Sequence, residues 1–453
     1  MGTEATVPDL HELCAVAVEA AESAESVEAF AEESRHTEAS ALRGEVEGVT
    51  FAESRGVGVR LISGGHLGYA YAADPTADEV REAVLRARDN AALAGPDEHN
   101  VLPSFVPAEP IDALYREDQA AIPTDRKVAL ALDLERRAIS TDPRVTKIDA
   151  AQIGDAVSRI AIASTSGVQA EYARTDAWCV AVALAVNGDE TQTGYSFAIG
   201  RGIDELGWEA IADEAVERSV RMLGATKPAT AKVPIVLDQF AAMSFLGVLA
   251  GALSAEAVLK GRSLFASMVG QQVGSDLFTL VDDGRITIGP AASPFDDEGV
   301  PSGRTELFTS GTLNGFLHNT YTAARTGNGT ASTGNAKRAS YKGTPGVGTS
   351  NFYVDAGDAS FDELIARADG GVLIQEVTGV HSGANPISGE FSVGATGLRI
   401  AGGALGEPLR EMTVASTLTD MLAGITGVGD DLRFFSSVGT PSILIGEMTL
   451  AGL

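Results

Sequence analysis

Short alternating runs broken by glycine-containing turns constrain this chain more than any other feature. Thr305–Phe308 and Thr312–Leu317 flank Ser310-Gly311, and Val57–Ile62 and Leu67–Tyr71 flank Gly64-Gly65. Period-two alternation around a two-residue turn specifies antiparallel hairpins. From Val233 onward such runs are many and short, the pattern of a sandwich or barrel. Helical spacing appears between them. Leu10, Leu13, Ala17, Ala20, Ala24, Val27 and Phe30 predict a helix over Pro8–Ser34, and Thr76 caps a second one running through Ala94. Further helices are expected at Asp125–Ser140, Asp204–Leu223, Gln239–Leu259, Phe361–Ala368 and Ser416–Ile425. Strands are expected at Val145–Ile153, Ala156–Ser164 and Ala177–Val186.

The expected fold class is α+β, in three units. An N-terminal antiparallel meander with flanking helices occupies 1–102, a middle α+β unit 124–223, and a β-rich, sandwich- or barrel-like unit with a few helices 233–453. Four prolines between Leu102 and Pro123 read as a linker over 103–123, and Gly224–Lys232 reads as a second one.

A net charge of −29 opposes phosphate backbones, so direct nucleic-acid binding is disfavoured. Cys14 and Cys179 lie far apart in apolar surroundings and read as buried hydrophobes, which fits a reducing cytosol. No signal peptide is visible, and the uncharged run Phe240–Ser254 is too short to cross a bilayer. Met1-Gly2 with Thr6 formally matches a myristoylation pattern, but nothing else points to membrane attachment. The expectation is a cytoplasmic protein.

Ser293–Arg338 gathers the most chemistry. An acidic cluster, Asp296-Asp297-Glu298, precedes Gly-Val-Pro, and Gly327–Asn335 leads to Lys337-Arg338. Charges set among glycines read as a binding surface rather than a core. The acidic cluster reads as a turn paired with Arg304. His318 and His381 with Asp296 or Glu298 are candidate metal ligands, but hydrogen-bonding roles are preferred, because a metal needs three or four converging ligands. The six histidines are too widely spaced for a helix-borne pair. No G-x-S-x-G elbow, P-loop ending or dinucleotide fingerprint is present.

The pattern PFDDEGVP…LNGFLHNTYTAARTG…STGNAKR resembles the TldD/PmbA, or modulator-of-gyrase, family. Val377–Gly397 (VTGVHSGANPISGEFSVGATG) resembles its PmbA (TldE) branch, and Ser54–Gly68 and Pro441–Gly452 extend the likeness weakly to both ends. The resemblance implies a two-subunit protease in which a TldD chain carries His-Glu-x-x-x-His on the first helix of its C-terminal unit and a cysteine ligand near its C-terminus. The corresponding helix here, Gln239–Leu259, has no histidine; the ligand positions fall near Leu246, Gly247 and Gly251, and Phe434–Pro441 has no cysteine. The resemblance therefore implies a non-catalytic, TldE-like subunit that completes the cavity of a zinc metalloprotease for unfolded, short or modified peptides. No cofactor is expected in this chain, and zinc is expected in a TldD-like partner. Arg304, His318, Lys337, Arg338, His381 and Ser382 are the candidate peptide-binding residues. The alternatives are a homodimeric peptide or small-molecule binding module that needs no partner, and an independent hydrolase with an unrecognised site. A homodimer is expected when the chain is alone.

Overall fold

The computed structural model describes residues 9–452; the Met1–Thr6 pattern and Pro8 lie outside them. Strands β1 (Glu25–Leu42), β2 (Glu45–Ser63), β3 (His66–Ala73), β4 (Val145–Ser164), β5 (Gln169–Asn187) and β6 (Glu190–Gly200) form one antiparallel sheet in the order β3-β2-β1-β4-β5-β6. The N-terminal and middle units thus share a sheet, joined where β1 runs along β4 from Glu28–Ser164 to Ser40–Gln152.

Period two sorts the faces of this sheet. The odd residues Val27, Ala29, Ala31, Ala39 and Ala41 of β1 are buried under helices. Leu10–Glu19 and Ala77–Leu93 cover the β1–β3 half; Thr124–Thr141 and Trp208–Val220 cover the β4–β6 half. The opposite face carries Glu28 and Phe30, and there Phe30 and Ile162 pack against Phe295 and Tyr341 of the C-terminal unit.

The expected Pro8–Ser34 helix is corrected: it ends at Glu19, and Glu25–Ser34 is strand. An alanine- and glutamate-rich segment satisfies helical spacing, but the sheet needs a strand between β2 and β4, and tertiary pairing outweighs a weak propensity. The two strands expected between Val145 and Ser164 are one, because Gly154 makes room for the Trp178 ring instead of a turn; a Cβ there would lie 2.2 Å from it. Strand β6 was not expected at all.

In the C-terminal unit, strands Ala404–Thr417, Glu390–Ala401, Val372–Thr378, Ala231–Leu237 and Ile443–Ala451 follow one another around a barrel. It closes through Thr413–Ala415 pairing with Thr449–Ala451. A second sheet, containing Leu280–Asp283, Arg304–Thr309 and Phe352–Val354, packs on it. The helix Gln239–Ala252 packs one face between them, with Phe245, Leu246 and Leu249 in one core with Ile235, Phe308, Ile374 and Phe391. Asp238 caps it by accepting from Ala241 N at 2.9 Å. Among the described residues no helix is long and apolar enough to cross a membrane.

Candidate functional site

The Ser293–Arg338 stretch folds inward. Asp296 and Glu298 are each 1% exposed, where a binding surface was expected. Asp296 ties the turn from within, accepting from Glu298 N, Val300 N and Ala336 N at 2.9–3.0 Å. The turn is as expected; its pairing with Arg304 is not. Glu298 instead binds Arg60 Nη1 of β2 at 2.7 Å and accepts from Thr320 N at 2.9 Å. Arg304 reaches Tyr353 Oη at 2.7 Å and lies near Glu306 and Asp355 on an exposed edge.

Arg338 is the other end of the same network. Its side chain is 1% exposed, and its guanidinium pairs with Glu28 of β1 and donates to Gly343 O and Asp297 O. Glu28 lies directly across from Arg60 in the sheet, and Arg60 Nη2 reaches it at 2.6 Å. The order is Arg338–Glu28–Arg60–Glu298, two guanidiniums alternating with two carboxylates, all removed from solvent. Removing charges from water is costly unless each is paired. Burial works against the Arg60 charge, but Glu28 and Glu298 outweigh it and raise the guanidinium above its ordinary value. Burial first, and Glu298 second, push the Asp296 carboxyl well up. Asp282, holding Ser350 and Asn335 beside this knot, is pushed up by burial to about 6. Close approach requires glycine on β2: a Cβ on Gly56 would lie 2.2 Å from the Tyr341 ring.

The six candidate residues do not converge; none is hydrogen-bonded or ion-paired to another. Arg338 sits in the knot, with no free face for a substrate carboxylate. Lys337 is half-buried on a two-residue strand paired with Gly346–Val347. His318 is 8% exposed, its Nδ1 meets no partner, and burial holds the imidazole below its ordinary value. His381 and Ser382 lie exposed on the short helix Val380–Gly383, beside Glu390–Ala401. Glu28 and Arg60, which make the knot, were missed: each lies in an ordinary alternating strand, and only the pairing of β1 with β2 brings them to Arg338 and Glu298. A cleft of about 580 Å³ opens beside the knot, between Arg60, Leu67 and Val101 on one side and Lys260, Tyr321 and Arg325 on the other.

The residues present do not fit a metal ion. Among the described residues no three His, Cys, Asp or Glu side chains form a group able to hold one. On the helix Gln239–Ala252, Leu246 is in the core, while Gly247 and Gly251 face outward with nothing within 4 Å of a Cβ at either. Asp296 is occupied by three backbone N–H groups, and Glu298 by Arg60 and Thr320 N.

Comparison with known proteins agrees along the chain. Residues 27–91 match the model of PmbA/TldA metallopeptidase domain 1, residues 117–223 its central domain and residues 230–452 its C-terminal domain. The metalloprotease PmbA of Escherichia coli O157:H7 is 26% identical over 90% of this chain and 88% of that one. A metalloprotease TldD homologue of Haemophilus influenzae is 27% identical over 89% and 88%. A Thermotoga maritima structure described as a modulator of a DNA gyrase superposes with a TM-score of 0.87 at 25% identity, covering 97% of this chain and 98% of that one. TldE from Thermococcus kodakarensis has the same fold, with a TM-score of 0.90 at 23% identity over 97% and 99%. With its three domain matches in order and covering most of its length, the chain belongs to the PmbA/TldD metallopeptidase family.

Proposed function

We propose that this chain is a TldE-like, non-catalytic subunit that pairs with a TldD-like metalloprotease chain and helps hold its peptide substrate. Identity alone does not choose the branch, since PmbA- and TldD-named relatives are equally distant. The observation that carries the reading is the helix Gln239–Ala252. Set against His-Glu-x-x-x-His, it has Leu246, buried in the core, and Gly251 where the two imidazoles would stand and Gly247 where the glutamate would stand, and among the described residues no group of three His, Cys, Asp or Glu replaces them. The names of the relatives supply the reaction class. His381 and Ser382, exposed on a short helix beside a barrel strand, are the candidate residues placed to meet a peptide; Arg304 and Lys337 are the next most accessible.

The test is elemental analysis and peptidase assay of the lone chain, then of the chain mixed with a TldD-like chain carrying an intact His-Glu-x-x-x-His. No stoichiometric zinc and no cleavage alone, with cleavage restored in a co-eluting complex, is the expected result. One tightly held zinc per lone chain, or peptidase activity without a partner, overturns it.

A further inference from the structure

The segment from Pro103 to Leu114 runs alongside β5 in the same direction and is fastened to it at two points. Ser166 Oγ, in the turn before β5, donates to Pro103 O at 2.7 Å, and Thr175 N donates to Leu114 O at 2.9 Å. The anchors are nine residues apart on the β5 side and eleven apart on the other. The longer arm bows outward and encloses a slot of about 530 Å³. Ala113, at φ 63°, turns the chain back toward its anchor.

Both long walls of this slot carry backbone groups without partners. Strand β5 is paired with β4 along Gln169–Ala185, but with β6 only from Ala177 onward. The Thr175 N–H points away from β4, so by period two the N–H and C=O of Gln169, Glu171 and Ala173 point into the slot. Among the described residues they meet no donor or acceptor. On the facing arm, Phe105–Ala113 makes no backbone-to-backbone hydrogen bond among the described residues; only the carbonyls of Glu109 and Pro110 are taken there, both by Arg285. Pro107 and Pro110 lack N–H groups, so this arm cannot zip onto β5 as a regular strand. An unpaired strand edge is a template for another chain. The slot is lined mainly by apolar groups, with Phe105, Val106, Ile111 and Phe295 prominent, and among the described residues its only charges are Asp112 and Glu171.

From this geometry we infer that the slot is a peptide-binding site, which takes an extended apolar segment carrying lysine or arginine and adds it as a strand to Gln169–Ala173. Main-chain hydrogen bonds supply affinity for any sequence, and the two carboxylates select cationic ones. The site is separate from the family signature stretch and does not rest on the subunit reading, because binding is a property of the lone chain.

The probe is a fluorescently labelled Lys-Val-Phe-Val-Lys peptide, followed by anisotropy with the full chain alone. Saturable binding is expected. The same peptide N-methylated at alternate residues should bind at least about tenfold more weakly, since it cannot complete the ladder. Glu-Val-Phe-Val-Glu should also bind more weakly. Ala173→Pro deletes one inward N–H while keeping both carboxylates and leaving the ladder to β4 intact, and should weaken the lysine peptide by at least about tenfold. Should that variant fail to fold, the N-methyl comparison on the unaltered chain decides. Absence of saturable binding, or equal binding of the N-methylated peptide, overturns the inference.

Discussion

Two stretches of this chain exchange the roles their composition assigns. Ser293–Arg338, dense in charge and glycine, reads as a surface; its Glu298 and Arg338 form with Glu28 and Arg60 a buried ionic knot that fastens the C-terminal unit to the N-terminal sheet. Leu102–Pro123, dense in proline, reads as a spacer; it forms one wall of an open slot against an unpaired strand edge. Charge density does not say where a side chain goes, because a partner from a distant strand can neutralise it. Proline does not mean idle, because a segment that cannot pair leaves its neighbour's edge free.

The contrast breaks first at Arg60. Arg60→Met leaves Glu28 and Glu298 buried with one cation fewer, and should cost about 3–5 kcal/mol in urea denaturation. A loss below about 1 kcal/mol would mean the knot does not hold the units together. Glu109→Ala in the proline-rich arm should cost less than about 0.5 kcal/mol.

Asp282 sharpens the comparison through pH. Its folded carboxyl keeps a proton up to about 6, above the ordinary 3.8. Between those values the folded state binds more protons than the unfolded one, so this group makes stability fall as pH rises from about 4 to about 6, and then level off. Asp282→Asn should flatten that fall, by about 2–3 kcal/mol between the two ends of the window. Parallel curves for wild type and variant would place the carboxyl in an ordinary environment.

Arg338 separates surface from scaffold directly. Arg338→Ala should lower stability by about 2 kcal/mol, because Glu28 loses one of two guanidiniums. In an assembled protease it should leave KM unchanged. A raised KM with an unchanged melting temperature would return the stretch to the substrate.

The smallest effect is expected on the outward face of Gln239–Ala252. Gly247→Ala and Gly251→Ala should each stabilise the lone chain by about 0.5–1 kcal/mol, since a Cβ there meets nothing and glycine is costly in a helix. If that face meets a TldD-like chain, the same changes weaken co-elution.

Local signals were legible where neighbouring residues decide the conformation. Gly64-Gly65 forms the turn between β2 and β3, with φ of 56° and 83°, and Thr76 caps the helix Ala77–Leu93 through a capping box with Glu79. The barrel character of the C-terminal unit followed from its short alternating runs. The knot was not legible, because Glu28 and Arg338 are separated by 310 residues.

What the sequence determined alone is the fold class, the family, and the missing histidines of Gln239–Ala252. Periodicity, capping and composition act over a few residues and are written in the chain itself. Which charges are buried, and which edge is left open, the tertiary structure decided. Both depend on strand order: β1 set between β2 and β4 brings Glu28 and Arg60 under the C-terminal unit, and β6 ending at Gly200, opposite Ala177, leaves the outer edge of Gln169–Ala173 open. The free energy of a buried charge or a bare peptide group depends on which distant segment reaches it, and no local pattern records that.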